Sequence, residues 1–168
     1  HGPVLNGRAT GSVPHFCHIV CSRAPAKTEE QKGLAVAYFD AGEPVELRVG
    51  LSYISAEQAV SNLDAELMNV SFPQAADSCR AAWNQALGTV EIKGGTEDEQ
   101  ITFYTALYRM MNRMQNISEY GRYFSAYDGK VHDNEGRDFY VNDGIWDTYR
   151  CAHPLQLLLQ ENRQMDMI

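Results

Sequence analysis

The hydrophobic pattern of this chain changes period once, at Ser55, and that change limits the possible folds more than any other feature. Upstream of it, apolar residues alternate. Val13–Cys21, Leu34–Phe39 and Val45–Ile54 read as strands, because period two with β-branched and aromatic side chains suits a pleated ribbon. In ELRVGLSYIS, Leu47, Val49, Leu51 and Tyr53 share one face and Arg48 lies on the other, which predicts an antiparallel sheet with one buried side. The polar stretch Arg23–Gly33 reads as a connection and Asp40–Gly42 as a turn. Three strands can neither cover both faces nor protect their edges, so the expectation is that something upstream is missing.

From Ser55 onward the period is helical. Ser55 with Gln58 forms a capping box ahead of Ala59, Val60, Leu63 and Leu67. Pro73 suits a first helical turn. Ala76, Cys79, Ala82, Trp83, Ala86 and Leu87 then make one apolar stripe, which Gly88 ends. Thr89–Lys93 could form a short strand. Thr96 with Glu99 is a second capping box, followed by Ile101, Tyr104, Leu107, Tyr108, Met111 and Met114 at helical spacing. A loop from Gln115 to about Asn142, with a short hairpin near Phe139–Val141, leads into a last helix from Ile145 past Pro154 to Gln160. Glu161–Ile168 reads as the opening of another helix. The pattern stops mid-course, and the expectation is a fragment of a larger protein.

Composition narrows the partners. The 168 residues, 44% hydrophobic and 21% charged, are of globular character and enough for one sizeable core. With 14 basic against 22 acidic side chains the formal charge is −8, which disfavours a nucleic-acid partner. No apolar run approaches the ~18 residues of a membrane span, and the opening HGPVLNGRAT shows no signal-peptide pattern. Cys17, Cys21, Cys79 and Cys151 make no disulfide framework. His15, Cys17, His18 and Cys21 resemble metal ligands, but on a strand the two thiols would sit roughly 13 Å apart, too far for one zinc ion. Strand packing is the plainer reading. Asn69-Val-Ser71 and Asn116-Ile-Ser118 are formal glycosylation sequons.

The residues that could carry chemistry lie late in the chain. Most aromatic residues fall between Phe103 and Tyr149, and Tyr120, Tyr123, Phe124, Tyr127, Phe139 and Tyr140 sit in the loop. Rings beside Asp and Asn suit sugar binding, since a ring covers C–H faces while carboxylates accept hydroxyl protons. A loop packed on its own rings explains them equally well. Asp128, Asp133, Glu135, Asp138, Asp143 and Asp147 supply carboxylates, and a glycosidase needs two. The run Asp133–Gly136 lacks the alternating ligands of a calcium loop. One cluster stands out: Trp146-Asp147-Thr148 at a helix start, then Arg150 and His153. An Asp there can be a plain cap. An indole directly beside it adds a surface for a pyranose.

These residues carry a resemblance. LRVGLSYISAEQAVSNLDAEL (Leu47–Leu67), AAWNQALGTVEIKGG (Ala81–Gly95), FYTALYRM (Phe103–Met110), YFSAYDGKVH (Tyr123–His132) and WDTYRCAHPL (Trp146–Leu155) follow the order found in glycoside hydrolase family 92. The chain resembles those calcium-dependent exo-α-mannosidases. The resemblance implies an α+β fragment of a multidomain protein: residues 1–54 the C-terminal part of an antiparallel β-sandwich, 55–88 linker helices, and 89–168 the start of an (α/α)6 barrel. It implies inverting removal of terminal α-linked mannose, α-1,2 foremost, from glycans outside the cell or in the periplasm. Trp146 and Asp147 match the pair that contacts mannose in the −1 subsite. The family's acid, base and main calcium ligands fall beyond Ile168, so the resemblance assigns this chain no catalytic residue and no metal ligand. It implies that the chain is inactive without the rest of the parent protein. The competing readings are a non-catalytic carbohydrate-binding or interaction module and a structural connector.

Overall fold

The computed structural model describes residues 4–9, 13–141 and 143–168. The chain divides into two compact units. One runs through Ser71 and takes in Phe124–Val131; the other comprises Phe72–Tyr123 and His132–Ile168.

The first unit holds β1 (Val4–Ala9), β2 (His15–Cys21), β3 (Lys27–Gln31), β4 (Leu34–Tyr38), β5 (Leu47–Ser52) and α1 (Ala56–Glu66). β1, β2 and β5 form an antiparallel sheet in that order, with Cys17 opposite both Gly7 and Leu51. The stretch from Arg23 to Gly33 is more than a connection, because β3 pairs along its whole length with β4. Lys32 and Gly33, with φ of 51° and 79°, turn the hairpin in the left-handed region that a two-residue loop requires. KTEEQ carries no apolar residue to announce a strand; its partner's backbone hydrogen bonds decide its conformation.

On β5 the helix covers the face opposite to the one the alternation marks. Arg48, Gly50 and Ser52 turn towards α1, whereas Leu47, Val49 and Leu51 are exposed. The small residues explain the choice. A Cβ at Gly50 would collide with the carbonyl oxygen of Ala59 and lie 2.7 Å from Leu63 Cβ, so the helix backbone can approach only over bare Cα. Asn62 Nδ2 then donates to the Leu51 carbonyl at 2.7 Å, and Arg48 Nη1 donates to that of Met68 at 2.8 Å. Cys21, Ala59 and Leu63 are fully buried. Ser55 caps α1 as its sequence predicts, its hydroxyl accepting from Gln58 N at 3.0 Å.

The second unit holds α2 (Phe72–Leu87), α3 (Glu97–Met111), β6 (Gln115–Asn116), β9 (Tyr140–Val141), α4 (Ile145–Thr148), α5 (Ala152–Leu159) and α6 (Glu161–Met167), together with the outer ends of β7 (Arg122–Ser125) and β8 (Lys130–Asp133), which pair as a hairpin. Its buried apolar residues are Leu107, Met111, Met114 and Ile117. α3 starts with the full reciprocal box: Thr96 Oγ1 accepts from Glu99 N, and Glu99 Oε2 accepts from Thr96 N at 2.7 Å. Thr89–Lys93 is irregular, not a strand; the Tyr104 hydroxyl donates to the Val90 carbonyl at 3.1 Å. β6 and β9 pair antiparallel, placing a short ladder at Tyr140–Val141 where a hairpin was expected, though its partner lies at Gln115–Asn116. The helix expected from Ile145 to Gln160 is two helices, interrupted at Tyr149–Cys151. Pro154 is the third residue of α5, inside the first turn, where its missing N–H leaves no hydrogen bond unmade. Among the described residues no helix is long and apolar enough to cross a membrane.

Candidate functional site

A four-residue helix has too few internal hydrogen bonds to hold itself, so α4 depends on its surroundings. Gly144, at its N-cap, offers no side chain. Asp143 does the anchoring instead. Its Oδ1 accepts from the hydroxyl of Thr148 at 2.7 Å, and its Oδ2 lies 3.0 Å from His153 Nε2 on α5. Thr148 is buried. Burial pushes the Asp143 carboxyl up, but the Thr148 and His153 donors, with Coulombic attraction to His153 and then Arg113, outweigh it and hold the group below the usual carboxylate range. On the far side of the imidazole, Nδ1 lies 2.8 Å from Nε2 of Gln164 on α6. One carboxylate thus links α4 directly to α5 and, through the ring, to α6.

Trp146 and Asp147 occupy the clamped turn. Successive helical residues project about 100° apart, so the indole and the carboxylate diverge without facing each other. Trp146 is 88% exposed, and Asp147 is exposed as well. A Cβ at Gly144 would stand 2.9 Å from Arg113 Nη2 and 3.3 Å from Asp147 Oδ2, which places a guanidinium and that carboxylate over the same bare Cα. Beside the turn, Ile145, Tyr149, His153, Pro154 and Leu157 line a cavity of about 580 Å³, which neither Trp146 nor Asp147 enters. Of the sequence cluster, Trp146 and Asp147 share one short, open turn, while Thr148 is buried and His153 stands on α5.

The loop aromatics divide. Tyr123 stacks on Phe139 with ring centres 4.0 Å apart and planes 7° from parallel, and His132 stacks with Tyr123 at 5.6 Å. These rings are packed on each other. Tyr127 is fully exposed, and Tyr140 lies under the Arg163 guanidinium, with burial raising its phenol above the ordinary range. The carboxylates divide too. Asp128 and Asp133 accept backbone N–H groups two residues on, as Asx turns do. Asp166 pairs with Arg137. His15, Cys17, His18 and Cys21 are strand residues of β2, with both thiols free and His18 bonded to Asn6. Among the described residues no three His, Cys, Asp or Glu side chains are arranged to hold a metal ion. Arg113 and Gln164 were not singled out from the sequence. Neither shares a helical face or strand register with Asp143, so no periodic signal marks them.

Comparison with known proteins places the chain. The model of the glycosyl hydrolase family 92 catalytic domain matches residues 58–168. An uncharacterized secreted glycosidase of Arthroderma benhamiae is 39% identical over 78 residues, which are 44% of this chain and 10% of that protein. Among solved structures, the family GH92 inverting mannosidase BT2199 of Bacteroides thetaiotaomicron is 31% identical, with a TM-score of 0.75 over 91% of this chain and 24% of its own. The GH92 glycosyl hydrolase ccman5 is 28% identical, with a TM-score of 0.84 over 98% of this chain and 25% of its own. The chain spans about a quarter of those structures and a tenth of the curated relative. A family model covering most of the chain, together with these two structures, shows that the chain belongs to glycoside hydrolase family 92.

Proposed function

We propose that this chain is part of an exo-acting α-mannosidase that removes terminal α-linked mannose, α-1,2 foremost, with inversion, and that Trp146 and Asp147 form part of its −1 subsite. The observation that carries the reading is the open turn: an indole with 88% of its surface free, next to an exposed carboxylate, on a helix clamped by Asp143. An indole face covers the C–H face of a pyranose, while a carboxylate accepts its hydroxyl protons. The solved mannosidase BT2199, which the chain resembles at 31% identity, supports the substrate class.

Residues 1–54 belong to a β-sandwich in this reading, 55–88 to the linking helices, and 89–168 to the first part of an (α/α)6 barrel. Inversion needs two carboxyl groups ~6.5–9.5 Å apart with room for water between them. Both are assigned to the parent protein beyond this chain, as is the calcium site. Calcium, when bound, would supply a cation for sugar hydroxyls. Glycans outside the cell or in the periplasm are the expected substrates; the fungal relative is called secreted.

The test uses a protein of the full length of the relatives, incubated with α-1,2-mannobiose and calcium and followed by NMR. Mannose should be released first as the β anomer, and not at all by the 168-residue chain alone. Trp146→Ala and Asp147→Asn should each lower kcat/KM at least about tenfold, the scale of a lost aromatic anchor or charged hydrogen bond. A folded Trp146→Ala enzyme with undiminished mannose release removes Trp146 from the subsite. No release by the full-length protein overturns the whole assignment.

A further inference from the structure

Gln164 is 1% exposed, and its two amide atoms are used unequally. Nε2 lies 2.8 Å from His153 Nδ1, while among the described residues Oε1 has no hydrogen-bond partner. The other ring nitrogen of His153, Nε2, lies 3.0 Å from Asp143 Oδ2. A carboxylate only accepts, so Nε2 must carry a hydrogen. In the neutral ring Nδ1 is then an acceptor, and it faces the amide NH2 of Gln164, a donor. The two bonds require the same tautomer. Among the described residues the charged group bonded to the ring is Asp143, from the segment before α4, and Arg113 acts on Asp143.

We infer that Gln164 and His153 are positioning residues: the buried amide fixes His153 as the neutral Nε2–H tautomer, and the ring, through Asp143, sets the turn that carries Trp146 and Asp147. The bearing on hydrolysis rests on the subsite reading above; the tautomer does not. The opposite amide orientation, with Oε1 towards Nδ1, would demand a hydrogen on both ring nitrogens. The two arrangements therefore differ in charge as well as in bonding. In this chain of hydrogen bonds the link from α6 to the turn passes through one ring.

Long-range 1H–15N spectra of the 15N-histidine-labelled chain, with His153 assigned by its absence in His153→Gln, read the tautomer directly. The expected result is a protonated Nε2 and a bare Nδ1 near neutral pH; an imidazolium, or hydrogen on Nδ1 alone, overturns the tautomer assignment. Gln164→Leu should erase the preference, and an unchanged spectrum refutes the role of the amide. Mannose release by the full-length protein reads the consequence. His153→Ala should lose about tenfold in kcat/KM, the scale of one hydrogen bond to a charged group. His153→Gln, whose amide keeps an N–H towards Asp143, should stay within about twofold of wild type, a rescue that a purely structural role for the ring would not give. If Trp146→Ala loses activity and a folded His153→Ala does not, the positioning role fails alone. If both keep wild-type rates, the subsite reading fails and the positioning role with it, whatever the tautomer.

Discussion

At Gly50 and at Gly144 the absence of a methyl group matters for different reasons. The atom that a Cβ at Gly50 would strike is backbone, which cannot swing aside, so Gly50→Ala must push α1 off the sheet. The expected loss is about 1–3 kcal/mol or more in chemical denaturation, the range for overpacking a fixed site. At Gly144 the obstacle is the far end of the Arg113 side chain, and φ of −99° suits any residue. Gly144→Ala should therefore cost well under ~1 kcal/mol while moving Arg113. Asp143 gives a pH signature. Its carboxyl titrates below that of the unfolded chain, so the stability it confers is complete above the ordinary carboxylate range and disappears as pH falls through the folded value. Asp143→Asn should lower the denaturation midpoint at pH 7, and the gap to wild type should narrow below about pH 4.

Among the elements, those built on local signals were legible in the sequence. The Thr96–Glu99 box that opens α3 is an instance, and Thr96→Ala should cost about 1 kcal/mol in thermal or chemical unfolding. Elements decided by distant partners were not. β3 exists because β4 pairs with it, although KTEEQ alone has little strand character. The covered face of β5 was selected by the fit of a helix over Gly50 and Ser52, so the apolar alternation pointed to the other side. The break at Tyr149–Cys151 left no trace in the periodicity. Trp146 and Asp147 could be singled out because they are adjacent. The link from Asp143 to His153 to Gln164 joins the segment before α4 to α5 and α6, and since these belong to no single continuous helix or strand, periodicity along the chain does not reveal it.

For the molecule as a whole, the exposed apolar residues are the dominant fact. Leu47, Val49 and Leu51 form a row on one sheet face, and Phe72, Trp146 and Leu158 are 72%, 88% and 82% exposed. The isolated chain should bind a hydrophobic dye strongly, and Leu51→Lys should weaken that binding without loss of folded signal, since Leu51 is 65% exposed. Asp143 has a wider consequence. Both of its oxygens are engaged, one by Thr148 and one by His153, so the footing of the α4 turn owes little to Ile145, whose side chain is 55% free. Position 145 can therefore be varied in size and polarity while the indole next to it keeps its footing.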